Sequence, residues 1–337
     1  MEVRVLPVLG IPDVEVGDDL VDAIATAAPW IADGDVLVVT SKIVSKAEGN
    51  LAAVPAEPGP DRDAAKAEVL AAETARVVAV RGGTRIVATH HGFVMAAAGI
   101  DESNVDRDRL VLLPKDPDAS ARAIRAGLRE RYGRDVVVLV SDTMGRPWRN
   151  GLTDVALGAA GIDPLRDYRG EQDAYGNELH LTQMSVIDEL CGAAELVKGK
   201  YDQVPVAVVR GLGITGTPDG PGATVLVRSA ETDMFALGTA EARADGLRLA
   251  GALDGAAPPA DTAVPVDVAI GRAIEAAGDT VGWRRDGLTL VPEIGPAGAL
   301  RAGMAVHALR CALLADGYPT RWIDLDVQGG AVRVVTG

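Results

Sequence analysis

Short apolar runs that are typical of buried strands alternate along most of the chain with segments of helical periodicity. Residues 36–40 (VLVVT) and 136–140 (VVVLV) are two such runs. In residues 20–31 the apolar side chains recur at helical spacing, which is typical of a helix that packs one face against a core. Helices and sheets of this kind bury each other's apolar faces. The pattern therefore predicts an α+β or mixed α/β fold, with mixed β-sheets covered by helices.

The same patterns predict the individual elements. Residues 116–118 (DPD) are typical of a helix start, and Gly133 is typical of a helix end. Residues 54–63, rich in Pro, Asp and Glu, are predicted to form a surface loop. Helices are predicted at 20–31, 64–75, 117–132, 184–197 and 236–252, and strands at 3–8, 36–40, 77–80, 85–88, 110–113, 136–140 and 204–209.

The composition changes near residue 250, where a stretch rich in Ala, Asp and Pro begins. We interpret residues 246–264 as a linker between two domains. A domain of residues 1–245 precedes it, and a small C-terminal α/β domain of residues 265–337 follows.

Charge and cysteine content restrict the possible partners. The 33 basic and 48 acidic residues give a net charge of −15, which argues against nucleic acid and membrane surfaces as partners. No apolar run approaches the roughly 20 residues that a membrane-spanning helix needs. Cys191 and Cys311 are the two cysteines, and no signal-peptide pattern is recognised, so we expect a cytoplasmic protein without disulfides.

Acidic residues follow apolar runs at two places. Asp101 and Asp142 lie 41 residues apart, so they belong to different elements, and Thr143 adds a hydroxyl beside the second carboxylate. Carboxylate and hydroxyl oxygens are suitable ligands for Mg²⁺ or Mn²⁺. The alternative is that both aspartates cap the next element, a common role of Asp.

Basic residues give weaker indications. Arginine supplies 27 of the 33 basic residues, and four of the six lysines fall in residues 41–46 (SKIVSK) and 198–200 (KGK). Such lysines suit contact with phosphate, or they are simply solvated. Arg146 and Arg149 flank Trp148, where they either bind an anionic substrate or pack on the indole ring.

Two further patterns are more consistent with structural roles than with chemistry. Residues 211–216 form a G-x-G-x-x-G string after a strand, but Pro218 and Pro221 prevent the helix that dinucleotide binding requires. His90 and His91 have no carboxylate partner nearby in the sequence, so we interpret them as hydrogen-bonded structural residues rather than general bases.

Several strings, in order, closely resemble those of the coenzyme F420-0:L-glutamate ligase family. The resemblance covers about residues 1–245 and implies a two-lobed ligase unit. The strings are 6–12 (LPVLGIP), 33–36 (DGDV), 40–49 (TSKIVSKAEG), 98–105 (AGIDESNV), 141–146 (SDTMGR) and 175–179 (YGNEL).

The resemblance implies a GTP-dependent enzyme that joins L-glutamate to coenzyme F420-0 through an acyl phosphate, releases GDP and phosphate, and adds further glutamates through γ-linkages. It implies Mg²⁺ or Mn²⁺, a monovalent cation such as K⁺, and a homodimer. Arg146 joins Lys46 as a catalytic candidate. The implied metal ligands are Asp101, Asp142 and Thr143, and the implied GTP contacts are Ile11, Pro12, Asp13, Val14, Ser41, Lys46 and Asn104.

The sequence departs from the family pattern twice. Lys200 stands where archaeal members carry an acidic residue that helps to bind a second metal. Either this chain has no second metal site, or Lys200 substitutes its own charge for that metal. Some relatives carry a flavin-binding nitroreductase-like domain at the C-terminus. Residues 265–337 are too few for it and resemble at most a remnant, so no FMN binding is expected.

Two alternatives to the ligase remain at this point. One is a metal-dependent nucleotide phosphohydrolase, and the other is a non-catalytic nucleotide-binding protein. GDP release that depends on glutamate and acceptor distinguishes the ligase from both.

Overall fold

The computed structural model describes residues 2–180, 182–214, 218–229, 264–279, 281–293, 298–325 and 329–334, together with residues 232, 246 and 253. The chain divides into two compact units, Met1–Arg228 and Ser229–Gly337. Within the described residues, seven α-helices and five β-sheets form, which confirms the predicted α+β class.

The first unit contains twelve strands and five helices among its described residues. The strands are β1 (Arg4–Pro7), β2 (Val36–Thr40), β3 (Leu51–Ala53), β4 (Thr74–Arg81), β5 (Thr84–Thr89), β6 (Val94–Ala96), β7 (Arg109–Val111), β8 (Val137–Arg146), β9 (Arg149–Ala160), β10 (Leu165–Asp167), β11 (Gln183–Ser185) and β12 (Val206–Arg210). The helices are α1 (Leu20–Ala27), α2 (Ser41–Glu48), α3 (Pro60–Glu73), α4 (Pro117–Tyr132) and α5 (Val186–Lys198), with 3-10 turns at Ala97–Gly99 and Ala223–Leu226.

The main sheet of this unit has the strand order β1-β12-β2-β8-β9. Strands β2 and β8 are parallel, and the other neighbours are antiparallel. Side chains of β2 alternate between two cores: Leu37 and Val39 pack with α1 and α4, whereas Val36 and Val38 pack with α5. Covering both faces explains why β2 is apolar throughout. Smaller sheets pair β3 with β7, β4 with β5 and β6, and β10 with β11.

Local chemistry sets the helix ends. The side chain of Asp19 accepts hydrogen bonds from the amides of Val21 and Asp22 at the start of α1. Asp116 caps α4 in the same way, and Gly133 ends it with φ of 62°. These starts and the end of α4 agree with the sequence prediction.

Several boundaries differ from the prediction. Helix α1 ends at Ala27 rather than at Ile31, because Pro29 disfavours helical backbone at the residue before it. Helix α3 begins at Pro60, inside the predicted loop, because proline fits the first helical turn. Strand β8 continues to Arg146 instead of ending near Val140, since it pairs along its length with β9, a strand that was not predicted.

The second unit contains α6 (Val266–Ala277), α7 (Gly298–Ala315) and the strands β13 (Gly282–Asp286), β14 (Thr289–Glu293), β15 (Thr320–Leu325) and β16 (Gly329–Val334). Its antiparallel sheet has the order β13-β14-β16-β15. Ile270, Leu290, Leu309 and Leu313 are buried in a core of its own. The predicted helix at 236–252 and most of the predicted linker at 246–264 lie outside the described residues, so the domain boundary stays a prediction.

Across the described residues, no helix combines the length and the apolar character needed to cross a membrane.

Candidate active site

Two parallel strands bring the candidate residues together. Thr40 at the end of β2 pairs with Ser141 in β8. The residues that follow each of them, Ser41 and Asp142, therefore lie at the same end of the sheet. Helix α2 begins at Ser41, so the 41–46 lysine cluster starts at the same end of the sheet as Asp142. The parallel register thus joins two segments that are about 100 residues apart in the chain.

Asp101 joins this end of the sheet through Lys42. Its backbone bridges Val111, with both hydrogen bonds at 2.9 Å. The Nζ of Lys42 lies 2.7 Å from Asp101 Oδ2 and donates to Ser103 Oγ at 2.6 Å. Burial raises the pKa of Asp101, but the hydrogen bonds from Lys42 and Ser103 and the lysine charge outweigh it, so the pKa lies below its usual value.

Lys46 connects the N-terminal segment to the same region. This lysine is 9% exposed, and its Nζ contacts Asp13 Oδ1 at 2.5 Å and the carbonyl oxygen of Asn104 at 3.4 Å. Asn104 has a φ of 54°, and Val14 is buried in the core next to Asp13. Lys46 therefore lies between the two segments that the family resemblance links to GTP, residues 11–14 and Asn104.

Asp142 lies near the carboxylates of Asp154 and Asp101. Its Oδ1 accepts the amide of Thr143 at 2.8 Å. Loss of solvent on burial, together with the nearby carboxylates of Asp154 and Asp101, raises the pKa of Asp142 to about 7. A cation at this position would relieve the repulsion between the carboxylates.

A buried ion pair lies directly beneath Thr143. Asp154 in β9 accepts from Thr143 Oγ1 at 2.8 Å through Oδ1, and from Ser141 Oγ at 2.9 Å and Lys198 Nζ at 2.6 Å through Oδ2. Asp154 and Lys198 are each 3% exposed. Burial raises the pKa of Asp154, but the charge and hydrogen bond of Lys198 outweigh it and lower the pKa below its usual value.

Lys200 lies on the solvent side of the same threonine. Its Nζ donates to Thr143 Oγ1 at 2.7 Å and pairs with Glu195 at 2.8 Å. Both lysine clusters of the sequence thus contact this site, Lys42 and Lys46 from α2, Lys198 and Lys200 from the end of α5.

Sequence reasoning did not select Asp154 as a site residue, and it selected Lys42 only as a member of the 41–46 lysine cluster. The available signal for Asp154 was a single charge within residues 152–160 (LTDVALGAA), a stretch otherwise made of apolar and small residues with one threonine. Such a charge needs a buried partner, but the sequence does not say that the partner is Lys198, 44 residues away.

Other candidates are not joined to this cluster. Arg146 and Arg149 lie at the exposed β8–β9 turn, where Arg146 Nη2 contacts the carbonyl oxygen of Asn150 at 3.4 Å. In the described part of the chain, no hydrogen bond or ion pair connects Arg146 to Lys46, Asp101 or Asp142.

The remaining motifs fit structural interpretations. His90 Nε2 and His91 Nε2 lie 2.9 Å and 3.1 Å from the carbonyl oxygens of Ala72 and Lys115. The last glycine of the 211–216 string lies outside the described residues.

The donor set suits a hard divalent cation. Asp101, Asp142 and Thr143 offer two carboxylates and a hydroxyl, and such ions complete their shell with water and phosphate oxygens. Burial and the carboxylates of Asp154 and Asp101 raise the pKa of Asp142, and a bound cation would favour its charged form. Among the residues that the structure describes, no group of three or more Asp, Glu, His or Cys side chains is arranged to hold a metal ion.

A separate cavity of about 400 Å³ lies on α4, where Arg122, Arg125 and Arg129 line it with Asp219. The guanidinium of Arg125 is paired there with Asp135 at 3.0 Å and Asp219 at 2.7 Å. This cavity is therefore built around a structural ion-pair network.

The region that contains these residues is similar to known proteins. A family model described as F420-0:Gamma-glutamyl ligase matches residues 9–211. The chain is 39% identical over 250 residues to the coenzyme F420:L-glutamate ligase of Methanothermobacter thermautotrophicus, across 70% of this chain and 99% of the relative. It is 40% identical over 249 residues to the enzyme of that name from Methanopyrus kandleri, across 69% of this chain and 97% of the relative.

Proposed function

The chain belongs to the F420-0:gamma-glutamyl ligase family, and from that premise we propose that it joins L-glutamate to coenzyme F420-0. The relatives covered almost end to end carry the name coenzyme F420:L-glutamate ligase. Family membership supports an enzyme that forms a carbon–nitrogen bond between an acid and an amino acid.

We propose that GTP supplies the energy. The carboxylate of coenzyme F420-0 attacks the γ-phosphate, which forms an acyl phosphate and releases GDP. The amine of glutamate then attacks the acyl carbon, an amide forms, and phosphate leaves. Further glutamates add through γ-linkages by the same sequence.

The lysines of α2 support this assignment. In our proposal the ammonium group of Lys46, buried and shared between Asp13 and Asn104, neutralises triphosphate charge. Ile11, Pro12, Asp13 and Val14, with Ser41, would contact the rest of the nucleotide. Fixed positive charge of this kind lowers the barrier to phosphoryl transfer through positioning and electrostatics.

Asp101, Asp142 and Thr143 would hold Mg²⁺ or Mn²⁺, which in phosphoryl transfer neutralises charge on the phosphate oxygens. The chain's own contribution is to pair Asp101 with Lys42 at 2.7 Å and to set Asp142 and Thr143 at the same end of the sheet as the start of α2. Lys200, bound to Thr143 Oγ1, would add a tethered positive charge where the family pattern has an acidic side chain. A monovalent cation such as K⁺ completes the proposed set of cofactors.

Arg146, with Arg149, is the proposed contact for the acidic substrates. Their exposed position at the β8–β9 turn leaves the guanidinium groups accessible to a carboxylate or phosphate. We further propose a cytoplasmic homodimer that works on small molecules and carries no FMN.

The observation that carries the proposal is the parallel β2–β8 register, which brings Asp142 and Thr143 to the same end of the sheet as α2, whose Lys42 is paired with Asp101 and whose Lys46 is paired with Asp13. An enzyme that binds a nucleotide together with a divalent cation needs carboxylates and lysines arranged in this way.

The test is the formation of GDP by the full-length protein with Mn²⁺ and GTP, in the presence and absence of glutamate and coenzyme F420-0. We expect GDP release only with both co-substrates, and its loss after chelation of the metal. Asp142→Asn should lower kcat by at least 10²-fold, the scale expected when a group that stabilises transition-state charge is removed.

The control variant is Asp61→Asn, which changes an exposed aspartate in the first turn of α3 and should behave as wild type. GDP release without glutamate would instead support a phosphohydrolase. Nucleotide binding without turnover, unchanged in Asp142→Asn, would support a non-catalytic binding protein.

A further inference from the structure

Thr143 has its single hydroxyl hydrogen directed into the protein. Asp154 Oδ1 lies 2.8 Å from Thr143 Oγ1 and, as a carboxylate oxygen, only accepts. The hydroxyl of Thr143 must therefore donate to Asp154. Its oxygen lone pairs are left facing the opposite side, where Lys200 Nζ donates to one of them at 2.7 Å.

Hydrogen bonds to both oxygens fix the orientation of the Asp154 carboxylate. Its second oxygen accepts from Lys198 Nζ at 2.6 Å and Ser141 Oγ at 2.9 Å, and Lys198 also donates to Ser141 Oγ at 2.8 Å. Ser141, Asp154 and Lys198 are each no more than 3% exposed. They form a closed triangle of hydrogen bonds without access to water.

The triangle spans three elements that meet at the site. Ser141 is in β8 immediately before Asp142, Asp154 is in β9, and Lys198 is the last residue of α5. None of the three points to solvent, so a direct role in substrate binding has no support. Removing two opposite charges from water is costly, and an apolar pair of the same size is often as stable. The pair is thus poorly explained by stability alone.

We propose that Asp154 and Lys198 are positioning residues that orient the hydroxyl of Thr143, so that its oxygen faces the site as an acceptor. Lys198 keeps Asp154 in place and compensates its charge next to Asp142. This inference rests on the proposed function, in which Thr143 is a metal ligand. Groups that orient a ligand from behind are known to control metal affinity.

The experiment compares two double variants of the full-length protein. Asp154→Asn with Lys198→Met keeps an oxygen that accepts from Thr143, and the amide nitrogen replaces Lys198 as a donor to Ser141. Asp154→Leu with Lys198→Met has nearly the same size but no acceptor. Wild type and both variants have the same net charge at this pair, so the acceptor is the main difference.

The first measurement is the binding of Mn²⁺ alone, followed by electron paramagnetic resonance of the free ion. We expect the Asn variant to retain most of the wild-type affinity and the Leu variant to bind about 10- to 100-fold more weakly. With Thr143→Val added, the two variants should become equal. In glutamate-dependent GDP release, kcat should follow the Mn²⁺ affinities while KM for glutamate stays unchanged.

Arg210→Met is the structural control, because it removes the partner of another buried aspartate, Asp35, paired at 2.6 Å on the same sheet. It should lower stability without changing Mn²⁺ affinity. If Leu at position 154 prevents folding, Asp154→Ala with Lys198→Met removes the same acceptor without added bulk.

Equal Mn²⁺ affinity of the Asn and Leu variants would overturn the inference and leave the proposed function intact, since wild type would still bind and turn over. A difference that persists with Thr143→Val would also overturn it. Wild-type protein that neither binds Mn²⁺ nor forms GDP would overturn both.

Discussion

At the scale of single residues, one buried carboxylate joins several elements of the first unit. Asp118, 6% exposed near the start of α4, accepts the amides of Ala159 and Ala223, each at 2.8 Å. It thereby ties a helix, the end of β9 and the turn at Ala223–Leu226 together. A carboxylate with this task has no visible signature in the sequence, where Asp118 reads only as part of a helix cap.

Asp118→Ala should therefore destabilise the first unit strongly. It leaves two buried amides without an acceptor, and each such group costs about 1–3 kcal/mol. We expect the free energy of unfolding in urea to fall by roughly 2–5 kcal/mol. Asp118→Asn keeps one acceptor oxygen and should lose less, so equal losses in the two variants would contradict this explanation.

The two cysteines should react very differently. Complete burial in the α5 core raises the pKa of the Cys191 thiol far above its usual value, and partial burial also raises the pKa of Cys311. Because the thiolate is the reactive form, a raised pKa means less reaction at a given pH. The native protein should release one equivalent of chromophore from a disulfide reagent, at a rate that still increases above pH 9.

Unfolding the protein should release a second equivalent. Two equivalents from the native protein at similar rates would show that Cys191 is accessible, contrary to the structure. The variant Cys311→Ser serves as the control and should be almost unreactive until it is unfolded.

Among the secondary-structure elements of the first unit, helix α4 and strand β9 approach each other closely at Gly158. A Cβ atom on Gly158 would lie 2.1 Å from the carbonyl oxygen of Pro117. The backbones of the helix and the strand therefore meet without an intervening side chain, and this contact supports the strand that carries Asp154.

Gly158→Ala and Gly192→Ala form a matched pair that tests this contact. Gly158→Ala must push the helix from the strand, and we expect a loss of at least about 3 kcal/mol in unfolding free energy, as for severe overpacking. Gly192 lies inside α5 with its nearest atom at 3.5 Å, so alanine there should stabilise by about 0.5–1 kcal/mol. If the two variants were equally stable, the close backbone contact at Gly158 would be contradicted.

The elements also show what the sequence predicted and what it missed. The starts of α1 and α4 follow from Asp caps and were predicted, because capping is local chemistry. Strand β9 was missed, because its glycine and alanine residues have weak strand propensity and it forms only through pairing with β8. Asp142 and Thr143 were selected from the sequence, whereas Asp154 required the fold, since its partners come from two other elements.

For the whole molecule, net charge was a poor guide to the site and lysine distribution a better one. The chain has a charge of −15, yet four of its six lysines contact residues of the candidate site: Lys42 contacts Asp101, Lys46 contacts Asp13, Lys198 contacts Asp154 and Lys200 contacts Thr143. Charge summed over a surface does not describe a small region in which cations and carboxylates alternate.

A shortened chain of residues 1–245 should keep the ligase activity. All proposed site residues lie in the first unit, which has its own sheet and cores, and the second unit has a separate core. We expect kcat and KM for glutamate within a factor of about two of the full chain, with the cooperative unfolding expected of an independent domain. An insoluble or inactive fragment would show that the second unit is required.

Because β12 lies between β1 and β2, strand β1 cannot join the main sheet until late in the synthesis of the chain. Neither N-terminal strand contacts the other in the sheet; both pair with residues 206–210. About 200 residues must therefore be synthesised before β1 finds its partner in the sheet. Nascent chains shorter than this leave β1 unpaired and one edge of β2 open, and unpaired strand edges of this kind are prone to aggregation.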